Sequence, residues 1–204
     1  MRVLVAMALT ATIIVALCAS PHAEPSEART RCLASDGGSS DARLAACSAV
    51  IEAGGETPQG LAAAYVARAE AYEEKAQWDF DAYLAAGKYE DRAIADYGEA
   101  IRLAPDNAAA FRSRGVLNTR MRRYDRAIAD FTDAIRLDPN IAAGLYGRAL
   151  ALRYVGQYAR AVADYRKALK LQLDDPSRRQ IETILKQLGA AKERNATPAV
   201  ATKR

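Results

Sequence analysis

A single histidine, His22, stands in the 204 residues, at the end of an apolar leader. If the leader is removed, the chain loses the commonest general base and the commonest metal ligand. No phosphate-cradling glycine loop, nucleophile elbow or Cys-x-x-Cys pair is present. Carboxylates do pair in sequence, as Glu73/Glu74 and Asp174/Asp175, but neighbours on a helix point different ways and read as solvated faces. These gaps argue against an enzyme, a cofactor and a metal site. An excess of charge is lacking too. The net charge is +4, with Lys/Arg interleaved among Asp/Glu instead of gathered in a stripe, which argues against a nucleic-acid partner. What is plentiful is apolar sequence: half the residues are hydrophobic and 26% are charged, the balance of a folded body with a sizeable core.

Long uncharged runs are scarce, and the one at the start has a clear reading. Val3–Leu17 follows Met1-Arg2 and has the length of a signal h-region, short of the ~20 apolar residues of a spanning helix. Cleavage after Ala23 is expected. That gives a signal peptide over residues 1–23, no stable membrane anchor, and a periplasmic or secreted product. Cys18 would suit a lipoprotein, but Leu17 stands before it where a small residue is expected. Removal leaves only Cys32 and Cys47. An even count in an oxidising compartment favours a disulfide between them. Two small buried thiols are the other reading.

The body is organised by repetition. Arg92-Ala93-Ile94-Ala95-Asp96-Tyr97 recurs 34 residues later as Arg126-Ala127-Ile128-Ala129-Asp130-Phe131, and after another 34 as Arg160-Ala161-Val162-Ala163-Asp164-Tyr165. The first two copies run on to Pro105 and Pro139, and a fixed period of this length means stacked supersecondary units. Upstream of each copy a second pattern repeats: Tyr65-x-x-Arg68-Ala69, Phe111-x-x-Arg114-Gly115 and Leu145-x-x-Arg148-Ala149. Arg114 and Arg148 keep the period, whereas Arg68 and Arg114 are 46 apart, so about 12 residues are inserted near 73–88.

These units resemble tetratricopeptide repeats. In that helix-turn-helix pattern a large and a small residue four apart mark helix A, and an alanine, an aromatic, a second alanine and a proline mark helix B. Phe111, Gly115, Tyr124, Ala127, Phe131, Ala134 and Pro139 match in one unit. The next carries Leu145, Ala149, Tyr158, Ala161, Tyr165 and Ala168, with its proline displaced to Pro176. The first carries Tyr65, Ala69, Tyr97, Ala100 and Pro105. The exported form, preceded by a cysteine-containing half-repeat, is similar to repeat proteins of alphaproteobacteria. The resemblance implies an all-α, right-handed α-solenoid.

Its expected organisation is as follows. Residues 24–58 hold a loosely structured lead-in and a degenerate half-repeat, in which Asp41–Ala53 is a helix with Cys47 at the register of Phe131. Three repeats fill 59–175. A capping helix spans 176–189, with Ile181, Ile184, Leu185 and Leu188 on one face, Asp175 as its N-cap and Gly189 as its stop. Residues 190–204 read as a disordered tail.

The resemblance also implies the function: a non-catalytic scaffold of the bacterial cell envelope that binds a protein or peptide on its concave face. The alternative is a self-associating subunit, or an accessory factor, of an envelope assembly. Helix A positions line that face: Val66, Glu70 and Glu73 in the first repeat, Arg112, Val116, Thr119 and Arg120 in the second, and Tyr146, Leu150, Arg153 and Tyr154 in the third. Arginine and tyrosine toward the C-terminal half suit a peptide with acidic and apolar residues. Packing of Tyr146, Leu150 and Tyr154 on the capping helix is the competing reading. The carboxylate clamp of chaperone-binding members is absent, since Val66, Glu70, Ser113, Ala143 and Gly147 stand at its positions. Trp78, Phe80 and Tyr83 in the insertion form a candidate partner patch, or a lid folded over the first repeat. Finally, Arg68, Arg114 and Arg148 recur in step with Asp96, Asp130 and Asp164. Each couple reads as an ion pair that sets register, worth about 0–1 kcal/mol when half exposed, rather than an arginine ladder facing a ligand.

Overall fold

The computed structural model describes residues 25–34, 38–78 and 87–196, and every regular element among them is a helix. In chain order these are α1 Pro25–Leu33, α2 Ser40–Ala53, α3 Pro58–Trp78, α4 Lys88–Leu103, α5 Ala108–Arg120, α6 Tyr124–Leu137, α7 Ala142–Tyr154, α8 Tyr158–Ala168 and α9 Asp175–Ala196. Consecutive helices pack as pairs, α1 with α2, α3 with α4, α5 with α6 and α7 with α8, and each pair leans on the next. This is the all-α solenoid expected from the period.

Local chemistry sets the helix ends. Asn107 caps α5 by accepting from the amide of Ala110 at 3.0 Å, and Ser39 caps α2 by accepting from Ala42 at 3.2 Å. Pro105 and Pro139 each lie two residues beyond the last turn of α4 and α6, because the residue before a proline leaves the helical region.

The core follows the aromatic-against-small rule. Tyr97, Phe131 and Tyr165 on the B helices are fully buried. The Phe131 ring is held between two glycines of different repeats. A methyl group at Gly115 would come within 3.0 Å of it, and one at Gly147 within 2.4 Å. Glycine at those two positions therefore sets how closely α5 and α7 approach the ring. Tyr97, one repeat earlier, finds Ser113 at the position of Gly147 and hydrogen-bonds to it. Tyr165 is buried beside Ile181 of α9, and its hydroxyl has no partner among the described residues.

Three expectations need correction. The lead-in is not loose: α1 packs on α2 and α3, burying Ala28 and Cys32. Among the described side chains of α1 those two, four apart, are the buried ones, so the apolar period is too sparse to stand out in sequence. The N-terminal unit is thus a complete helix pair and not half of one. The capping helix is also longer than expected. Asp174, not Asp175, caps it, accepting from the Ser177 amide at 2.7 Å and hydroxyl at 3.0 Å. It then runs through Gly189 to Ala196, so residues 190–196 of the expected tail are helical. Gly189 shows no positive φ, the conformation a terminating glycine would adopt. The leader and residues 197–204 lie outside the described residues. At the insertion, α3 reaches 21 residues against 13 for α5 and α7, so helix A is lengthened there.

Candidate functional site

The repeated arginines are spoken for. Arg68 grips Asp96 with two bonds of 2.8 Å, Arg114 grips Asp130 with contacts of 2.7 to 3.2 Å, and Arg148 grips Asp164 at 2.7 and 2.9 Å. Each fork closes one helix A onto its own helix B in the bidentate geometry only arginine provides. The remaining nitrogen reaches back to the preceding unit. Arg68 meets the Ser48 hydroxyl and Arg148 the Thr132 hydroxyl, both at 3.2 Å, while Arg114 lies against Gly98 at the same register. The series is a register device and not a ligand-facing ladder.

With those arginines assigned, the concave face can be read residue by residue. Its first-repeat carboxylates are neutralised from within. Arg43 of α2 bonds to Glu70 at 2.8 Å and Glu74 at 2.7 Å. Glu73 accepts from the Tyr97 hydroxyl at 2.8 Å and from Arg120 at 3.3 Å. Burial holds the Glu73 carboxyl above its ordinary range, with the Tyr97 bond and Arg120 opposing, and burial likewise pushes the Tyr97 hydroxyl up. Arg120 also approaches Glu90, at 4.0 Å.

Farther along, the face is open. Val116 is 40% exposed and Tyr154 is 55% exposed. Arg112 and Leu150 are half-buried, and Arg112 is close enough to Glu73 to act on it electrostatically without pairing. The Arg153 guanidinium lies 5.6 Å from the centre of the Tyr154 ring. Tyr154 in turn stacks on Tyr124, centroids 4.8 Å apart and planes 13° apart. Tyr124 was not among the expected site residues. Its repeat position marks it as core in the sequence, and only the stack brings it to this face.

Besides Arg120, two more expected residues are committed. Tyr146 packs at 5.9 Å from Tyr165, hydrogen-bonds to Gln180 of α9, and has its hydroxyl pushed up by burial. The capping helix therefore takes Tyr146, while Tyr154 stays free of it. Thr119 spends its hydroxyl on the Gly115 carbonyl at 2.9 Å. The side chains of Trp78, Phe80 and Tyr83 lie outside the described residues. The sulfurs of Cys32 and Cys47 stand 2.15 Å apart with both residues fully buried, a bonding distance at the centre of the first unit. No group of ligating side chains able to hold a metal ion occurs among the described residues.

Comparison with known proteins places this geometry. Family models described as "TPR repeat" and "Tetratricopeptide repeat" match residues 81–121, 113–141 and 142–175. No curated protein matches the chain in sequence. Among solved structures, the chain is similar to MamA residues 41 to the end from Desulfovibrio magneticus RS-1. That match has 17% identity and a TM-score of 0.64 and covers 83% of this chain and 84% of that one. A MamA RS-1 double mutant gives 17% identity and a TM-score of 0.65, covering 83% of each. The first repeat domain of Spaghetti (RPAP3), bound to the HSP90 peptide SRMEEVD, gives 17% identity and a TM-score of 0.55, covering 68% of this chain and 96% of that one. At these identities the likeness is one of fold.

Proposed function

The chain belongs to the tetratricopeptide-repeat proteins, and from that premise we propose that it is a non-catalytic scaffold of the bacterial cell envelope. It holds a segment of another protein against the concave side of its second and third repeats. The observation that carries this reading is the contrast along that side. Acidic groups of the first repeat are consumed by Arg43 and Arg120, whereas Arg112, Val116, Leu150, Arg153 and Tyr154 stay accessible. A segment with carboxylates for the two arginines and apolar side chains for Val116, Leu150 and Tyr154 is the matching ligand. The peptide bound by the Spaghetti domain supports a polypeptide ligand. Val66, Glu70, Ser113, Ala143 and Gly147, standing where chaperone-binding relatives carry their clamp, turn the reading away from chaperone C-termini.

Arg112→Glu combined with Arg153→Glu tests it. The double variant should lose capture of its partner from an envelope extract, read by mass spectrometry, with the helical circular dichroism unchanged. Undiminished capture would reject the basic groove.

Export is part of the proposal. The Val3–Leu17 run after Met1-Arg2 supports a cleaved signal, and the adjoining sulfurs support a Cys32–Cys47 bond made in an oxidising compartment. Cell fractionation should recover a product shortened near Ala23. Its mass should rise by two alkyl groups only when reduction precedes alkylation.

A further inference from the structure

The turn between α5 and α6 carries an anomaly. Arg122 has φ 58°, in the left-handed region. One period later, where the chain turns into α8, Gly156 takes that conformation at φ 78°, and Gly87 does so immediately before α4 at φ 85°. A Cβ in this region crowds the following carbonyl, a cost that glycine avoids. The second repeat thus keeps a strained arginine where its own sister turns use an unstrained residue. Here the amides of Arg122 and Arg123 on the carbonyls of Thr119 and Asn118 hold the turn, and strain so held gathers at binding sites.

The surroundings show what that side chain could meet. Arg122 and Arg126 are exposed, and neither has a carboxylate partner among the described residues. Nearby Arg123 is held by Asp91 at 2.8 Å, and Arg120 by Glu73 at 3.3 Å. Arg122, Arg123, Tyr124, Asp125, Arg126 and Val155 line an open cleft of about 460 Å³. Asp125 is the one carboxylate in that lining. Beside it lies the flat stack of Tyr124 and Tyr154, and across Gly156 stands Tyr158, 54% exposed. Planar guanidinium groups bind carboxylates through paired hydrogen bonds, and tyrosine faces bind rings and aliphatic chains.

We propose that this corner is a second docking surface, meeting the concave groove at Tyr154, for an acidic segment of a partner polypeptide in which carboxylates flank an aromatic side chain. Arg122 and Arg126 take the carboxylates, and the Tyr124–Tyr154 stack takes the ring. A phosphate headgroup fits less well. The exposed Tyr124–Tyr154 rings require an apolar counterpart, which a phosphate group does not supply.

Fluorescence anisotropy on the full chain tests this, with a short labelled peptide alternating Glu and Tyr, a control alternating Lys and Tyr, and phosphatidylglycerol vesicles. Arg122→Gly together with Arg126→Gln should weaken the acidic peptide about tenfold or more. Arg122→Gly alone should melt no lower than the parent, because the left-handed strain is relieved. That combination, weaker binding without loss of stability, is one a structural arginine cannot give. Arg136→Gln, at an exposed arginine that pairs with Asp133 and belongs to neither surface, should leave the acidic peptide within about twofold. Unchanged affinity in the Arg122/Arg126 variant overturns the corner site, as does tight binding of the control peptide. Loss through Arg112→Glu with none through the Arg122/Arg126 variant overturns it too, and in that case supports the groove. Binding to vesicles without binding to the peptide also rejects it, in favour of a membrane surface.

Discussion

The N-terminal helix pair and the three repeats behind it share a geometry but are fastened by different means. In α4, α6 and α8 an alanine and an aromatic four residues later point inward: Ala93 and Tyr97, Ala127 and Phe131, Ala161 and Tyr165. In α2 the same two positions carry Arg43 and Cys47. The wedge is missing, and the small core there consists of Ala28, Cys32, Ala46, Cys47, Val50, Ala64 and Ala67. So little apolar volume stabilises a helix pair weakly; the proposed Cys32–Cys47 bond would add stability there, and the Arg43 contacts hold the register. The Arg43 side chain is only 12% exposed, and its Nε lacks a partner. A half-buried charge of this kind fixes position more than it adds stability. The lesson is that a helix pair can keep the shape of a repeat after losing its hydrophobic reason, provided other bonds replace the wedge.

The sharpest way to break the comparison is to remove a wedge. Phe131→Ala leaves a void between Gly115 and Gly147 and should cost about 3–5 kcal/mol in chemical denaturation. Cys47→Ser should cost the first unit about 3 kcal/mol, the scale for a loop of this length. Hydrogen exchange should then speed up in α1 and α2 while α5 to α8 keep their protection. If both regions lost protection together, the array would be one cooperative unit and the contrast would be void. A finer test uses the two tyrosine wedges. Tyr97→Phe forfeits the bonds to Glu73 and Ser113 and should destabilise by about 1 kcal/mol. Tyr165→Phe removes a buried hydroxyl without a partner, one whose pKa burial has pushed up to about 12. It should be neutral or stabilising by about 1 kcal/mol, as the phenylalanine already present at Phe131 suggests.

The smallest effect concerns Glu73. Burial, the leading cause, raises its carboxyl above the unfolded value. A raised acid costs stability at neutral pH, and the cost disappears as pH falls through the folded value. Glu73→Gln should therefore raise the melting temperature slightly at neutral pH, with the difference shrinking in acid. A loss at neutral pH that shrank on acidification would show that the Arg120 contact, not burial, governs this carboxyl.

Much of this architecture is legible in the sequence because the period is local chemistry written several times. Phe131, Gly115 and the Arg114–Asp130 couple can each be inferred from their copies at the same register. What repeats can be checked against itself. The helix α1 escaped detection because two inward residues make no pattern. Gly189 misled because a glycine ends a helix only when its φ turns positive. Of the concave residues, the sequence could give positions along helix A but not availability. Tyr146 is taken by Gln180, Arg120 by Glu73, and Glu70 by Arg43, and none of those partners sits at a repeated spacing.

The sequence alone determined the helix pair, its period, its wedge and its arginine–aspartate clasp, because these arise between positions that recur from one unit to the next. The tertiary structure decided which charges and rings remain free to bind, and that it placed Tyr124 beneath Tyr154. Such contacts join dissimilar positions of successive units. They depend on how the pairs rotate against one another as they stack, a geometry set by the packing of whole helices and not by any short stretch of chain.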